Sequence, residues 1–162
     1  MSESTLHGQS YDWRANIDRL VQQADSLSNK KQKTFYSQRF LKFDQQVKET
    51  WHYTLQNGKI IIFQLRYLID ATEFTEVYYL NKGSLICMEQ LESPSNLPDE
   101  EINHAELYYF VGSDLKQYVT YGRAKQTASR NITSIQCLQK FQKRYAELLR
   151  NMKHTPNMGM DD

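Results

Sequence analysis

Three tyrosine-bearing segments of shared pattern constrain this chain more than any other feature. Tyr53-Thr54-Leu55-Gln56-Asn57-Gly58-Lys59-Ile60 aligns with Tyr78-Tyr79-Leu80-Asn81-Lys82-Gly83-Ser84-Leu85. Tyr108-Tyr109-Phe110-Val111-Gly112-Ser113-Asp114-Leu115 is a third copy with its glycine shifted by one position. Ahead of the first glycine, Val47, Glu49, Trp51, Tyr53 and Leu55 alternate with Lys48, Thr50, His52 and Thr54. A period of two is the period of a strand. Asn57-Gly58 then supplies the positive φ that both central residues of a type I′ turn require.

Each copy therefore reads as strand, tight turn, strand. Three hairpins predict six strands, over 47–55, 59–69, 73–80, 84–91, 105–111 and 114–121. Consecutive hairpins make an antiparallel meander. In the first return strand Ile61, Phe63, Leu65, Tyr67 and Ile69 are expected on one face, with Ile60 and Ile62 on the other. The segment Ser93–Glu101, rich in Pro, Ser and acid, reads as a loop.

Helical periodicity brackets the sheet. Trp13, Ile17, Leu20, Val21, Ala24 and Leu27 form one stripe over 12–28, with Asp12 or Ser10 as cap. Leu138, Phe141, Tyr145, Leu148, Leu149 and Met152 form another over 129–152, with Lys140, Lys143, Arg144 and Arg150 largely off that stripe. Residues 33–46 fit a helix extension and a first strand equally. Residues 154–162, with Pro156 and Gly159, read as a mobile tail. The expectation is one α+β domain over 1–162: a six-stranded meander of three hairpins with a helix at each end.

The repeated Tyr-Tyr-(Leu/Phe)-x-x-Gly-x-Leu hairpin resembles tandem hairpins of uncharacterised secreted or lipoprotein-like bacterial proteins of the Bacteroidetes type. The resemblance covers about residues 45–121, with Asn57-Gly58-Lys59-Ile60 and Tyr78-Tyr79-Leu80 its nearest pieces. The third copy departs from it, with Gly112-Ser113 in place of Asn-Gly. The resemblance implies an extracytoplasmic bacterial domain and carries over no catalytic residue.

The longest apolar run, Ile60-Ile61-Ile62-Phe63, is far short of the ~20 residues of a membrane span. The first ten residues lack an apolar signal region. A cytoplasmic chain and a mature secreted chain whose leader has been removed both fit. Cys87 and Cys137 match no zinc or redox spacing. They read either as two small half-buried hydrophobes or as a disulfide tying the sheet to the last helix, the latter requiring an oxidising compartment.

No catalytic, cofactor or metal motif stands in the sequence, and no cofactor is expected. His7, His52, His104 and His154 are scattered and read as surface or tail histidines. Glu49, Glu76, Glu89 and Glu106 are the acids that a glycan-directed hydrolase would recruit in pairs. Their other reading is charge at strand ends and edges. A small apolar ligand held between sheet and helices is a further alternative.

Charge is segregated. Residues 1–69 hold ten Lys or Arg and six acids, residues 70–114 one and ten, residues 115–162 nine and three. An acidic sheet repels phosphate, which disfavours nucleic acid. Tyr78, Tyr79, Tyr108 and Tyr109 with Glu76 and Glu106 are the expected contact surface for a protein partner, because tyrosine offers large contact area at low entropic cost. The alternative for the charges is that acidic and basic segments pair within the fold. The expected function is a non-enzymatic binding or inhibitory domain.

Overall fold

The computed structural model describes residues 12–40, 45–95, 104–122 and 134–153. Among these are two helices and seven strands, in the order α1 (Trp13–Lys31), β1 (Lys33–Phe40), β2 (Gln46–Gln56), β3 (Lys59–Ile69), β4 (Thr72–Asn81), β5 (Ser84–Pro94), β6 (His104–Val111), β7 (Asp114–Gly122) and α2 (Ser134–Lys153). The loop expected over Ser93–Glu101 begins later than expected, since Ser93 and Pro94 belong to β5. Its residues 96–101, the tail at 154–162, the helix start at 129–133, and His7 and His154 lie outside the described residues.

The sheet is one antiparallel meander in which sequence order is spatial order, β1 through β7. The chain is α+β with a helix before and after the sheet, and the strand count is seven rather than six. The extra strand is β1, drawn from the ambiguous stretch 33–46. Gln32 is already extended, and its N–H closes the helix on the Ser28 carbonyl at 3.1 Å. Phe35 then stacks on Trp51 with ring centroids 5.3 Å apart. That burial, with the β-forming run Thr34-Phe35-Tyr36, decides for strand over helix.

The turns follow their residues. Asn57 and Gly58 have φ of 55° and 77°, and Lys82 and Gly83 have 54° and 84°, the left-handed pairs of type I′ turns. In the third hairpin Gly112 has φ 63° and Ser113 is not left-handed, the pattern of a type II′ turn with glycine first. The shifted glycine is thus a change of turn type.

Each hairpin carries a bulge three residues beyond its second turn residue. Ile61, Ile86 and Lys116 have no partner across the ladder. An extra residue reverses the facing of everything before it. Ile60 therefore joins Phe63 and Leu65 on one face while Ile61 and Ile62 go to the other, a correction to the expected alternation. Leu85 is likewise separated from Cys87, so Glu89 shares the Cys87 face and not that of Leu85.

Helix α1 is capped by Asp12, whose carboxylate accepts from the Ala15 N–H at 3.1 Å. It lays Ile17 and Ala24 against Ile62, Val77, Tyr79, Cys87 and Tyr109. Helix α2 lays Cys137, Phe141 and Leu148 on the other face, against Phe63, Tyr78, Met88 and Tyr108. Leu149, expected on the α2 stripe, is 41% exposed. The sheet is thus sandwiched, and each face has its own core.

Candidate functional site

Strand register arranges the face beneath α2 in rows that cross the sheet. One row runs Tyr53, Phe63, Tyr78, Met88, Tyr108, Tyr118. The next runs Trp51, Leu65, Glu76, Gln90, Glu106. The one after contains Glu49, Tyr67, Phe74, Glu92 and His104. The aromatic row lies under the apolar stripe of α2. The two acidic rows lie under its basic residues.

Glu49, Glu76 and Glu106 are 2%, 1% and 3% exposed, so each carboxylate must be paired to be held there. Arg144 reaches Glu76 through Nε and Nη2, both at 3.0 Å, and Glu49 through Nη1 at 3.3 Å. Its Nη1 also donates to Glu147 at 3.0 Å. Arg39 comes from β1 to donate to Glu49 at 2.8 Å and to both oxygens of Glu147 at 3.0 Å. Lys140 stands 3.6 Å from Glu76. Tyr67 and Tyr78 donate their hydroxyls to Glu76 at 2.5 and 2.7 Å. Glu106 accepts from Tyr108 at 2.8 Å and lies 3.1 Å from His104 Nε2.

Burial by itself would raise the Glu76 carboxyl. The charges of Lys140 and Arg144 and the donated hydrogen bonds outweigh it and hold the group down at about 2. Burial likewise works against the charge on Arg144, and Glu76 more than offsets it, so the guanidinium stays charged. The Tyr67 and Tyr78 hydroxyls are pushed well up, by burial first and the neighbouring Glu76 charge second.

This bears on hydrolysis. Glu76, Glu92 and Glu106 line one cavity of about 170 Å³ with Lys140, so acids do converge. Glu76 and Glu106 are two strands apart, which is roughly 10 Å. Yet both Glu76 oxygens already accept two hydrogen bonds each, and a group held at about 2 has no proton to donate near neutrality. The fourth expected acid, Glu89, lies on the opposite face, where burial and then Asp25 push its carboxyl up to about 7.

The six expected partner-contact residues are buried, which corrects their reading as an exposed platform. Tyr78, Tyr108, Glu76 and Glu106 lie beneath α2, while Tyr79 and Tyr109 lie beneath α1. The Tyr79 hydroxyl donates to Asp25 at 2.7 Å, and Arg14 sits 4.0 Å over the Tyr109 ring. A helix covers each face, so neighbouring tyrosines in Tyr-Tyr pairs point into different cores. The cysteines receive the same correction. Cys87 and Cys137 are free thiols, 1% and 0% exposed, in the two separate cores on opposite faces. Both are more deeply buried than expected, and no disulfide ties the sheet to α2. His104, expected at the surface, is 7% exposed against Glu106. Among the described residues no group of three or more His, Cys, Asp or Glu is placed to hold a metal ion, and no helix is long and apolar enough to cross a membrane.

The exposed aromatic surface is elsewhere. Tyr36, Thr50, Arg66, Thr75, Leu91, Ala105 and Tyr121 form one row across all seven strands, on the α1 side. Its end residues, Tyr36 on β1 and Tyr121 on β7, are 67% and 52% exposed. Leu68 and Phe40 share this side and are 50% and 71% exposed. No single-residue signal marks them. Tyr36, Phe40 and Leu68 become neighbours only once β1 is known to be a strand and the register is set, while Tyr121 marks the opposite edge. No protein-family model, curated protein or solved structure matches the chain.

Proposed function

We propose that this chain is a non-enzymatic binding domain for a protein partner, and that its contact surface is the part of the sheet on the α1 side that α1 leaves open. The observation that carries this reading is the row bounded by Tyr36 and Tyr121, with Leu68 and Phe40 beside it. Tyr36, Phe40 and Leu68 stand together on β1 and β3, and large apolar side chains grouped in this way mark an interaction surface. Tyr121 stands six strand spacings away, roughly 29 Å, and marks the far edge of the same face. Lys48 and Arg66 lie among them and Glu73 stands directly across from Leu68, so the surface carries charges of both signs and contact with a charged partner weakens with salt. The buried acids support the same reading, because their hydrogen-bonding capacity is taken up within the fold.

The test uses the immobilised chain and lysate of its own host. Wild type is compared with a Tyr36→Ser/Tyr121→Ser variant that retains the native circular dichroism spectrum. A protein held by the first, released by salt and absent from the second is the expected result. Identical retention by both chains counts against this surface.

A further inference from the structure

Beyond that surface, and independently of it, we infer that the hairpin-tip end of the α2 face holds a binding site for a small apolar carboxylate. A cavity of about 300 Å³ opens there between the first two hairpin turns and the end of α2. Its floor is apolar: Leu55 and Ile60, which face each other across the first hairpin, meet Tyr145, Leu149 and Met152 of α2. Its rim is cationic. Lys59 follows the first turn and Lys82 stands in the second, both solvent-exposed. No acidic residue is among the described residues that line it, and neither lysine pairs with a carboxylate there. This contrasts with the other end of the same face, where Arg39, Lys140 and Arg144 all have acidic partners.

The backbone at Lys82 is a second, independent observation. Its φ is 54°, the left-handed region that asparagine and glycine tolerate and lysine does not favour. The first hairpin places Asn57 at this position, the locally preferred choice. The second places a lysine there, against backbone preference, beside the cavity. Strain of this kind gathers at sites of function.

An apolar floor with two exposed ammonium groups at its mouth, neither paired with a carboxylate among the described residues, matches an amphiphile with one anionic head. At about 30 Å³ per water, the cavity has the room of about ten waters, or roughly eight to ten carbons. The ligand is thus a free medium-chain carboxylate, its tail against Leu149 and Met152 and its head between Lys59 and Lys82. Leu149 explains itself in this setting, as an exposed leucine that the tail would cover.

Decanoate below its micelle concentration is titrated into the full chain, with decanol as the uncharged probe, and followed by calorimetry and amide chemical shifts. Wild type should bind decanoate at one saturable site, with shifts at residues 55–60, 82–85 and 145–152. Lys59→Glu/Lys82→Glu should weaken decanoate about tenfold and leave decanol unchanged, since each exposed charge contributes modestly. Leu149→Gln should weaken both probes. Lys82→Asn should raise Tm by relieving the turn, yet bind decanoate more weakly than wild type. Absence of saturable decanoate binding by wild type would overturn the inference. So would equal decanoate affinity in the charge-reversed chain or in Lys82→Asn.

Discussion

Arg144 donates to both carboxylate oxygens of Glu76, Nε to Oε1 and Nη2 to Oε2, each at 3.0 Å. The pair joins the middle of α2 to the central strand of the sheet across 68 residues of sequence. A two-pronged contact of this geometry fixes the rotation of the helix as well as its position.

Removing one partner of such a pair leaves the other buried and uncompensated. Arg144→Met should therefore lower stability by about 3–5 kcal/mol in urea unfolding. Lys143→Met, on the exposed side of the same helix, should stay within about 0.5 kcal/mol. A small effect for the first would mean that Lys140 and Arg39 suffice to hold the acids.

The same pair sets the acid limb of the stability profile. Glu76 is held at about 2 in the folded chain against an ordinary 4.5. Its contribution is complete above pH 4.5 and is lost as pH falls through 4.5 towards 2. The shift corresponds to about 3 kcal/mol. Urea midpoints of wild type should drop steeply over that interval. Glu76→Gln, weaker at neutral pH, should show a flatter acid limb.

Glu89 works in the opposite direction. Burial and then Asp25 raise it to about 7, so the fold prefers it neutral. Its contribution is complete below pH 4.5 and is lost as pH rises from 4.5 through 7. Glu89→Gln should match wild type near pH 4 and exceed it by roughly 1–3 kcal/mol at pH 8. Thermal melts across this range read the difference directly. Equal pH dependence in both chains would mean that water or a cation neutralises Glu89.

The thiols are covered and protonated. Burial pushes Cys137 up to about 12 and raises Cys87 still further, so little thiolate exists near neutrality. Native protein should resist iodoacetamide. Protein unfolded without reductant should gain two adducts by mass, one per free cysteine.

The hairpins were legible because their signals are local. Asn57-Gly58, Gly83 and the alternation from Val47 onward each act over a few residues, and the six expected strands end within three residues of those observed. The helical stripes of α1 and α2 were legible for the same reason. β1 was not, since Phe35, Phe40 and Leu41 fit no single period. Only the stacking of Phe35 on Trp51 makes it a strand.

The site was much less legible. Counting tyrosines and glutamates identified chemically notable residues but not their surroundings. Adjacent tyrosines point to opposite faces, and a helix lies on each face. The acidic and basic segments do meet within the fold at Glu76, which pairs with Lys140 and with Arg144 across 68 residues, and Arg144 also reaches Glu49 across 95. Nothing within a short window encodes such a partner.

The amino-acid sequence by itself determined the elements: three glycine-turned hairpins with a helix on either side, in an antiparallel order. Short-range sterics and periodicity suffice for that. Tertiary structure alone decided which residues are hidden. The bulges at Ile61, Ile86 and Lys116 reset facing, and the helices then cover Tyr78 and Tyr79 from opposite sides. Among the large apolar side chains that stay in contact with solvent are Tyr36, Phe40, Leu68 and Tyr121, and the lysine-rimmed cavity opens at the hairpin tips. Exposure is a property of how layers stack, and stacking is summed over contacts distant in sequence.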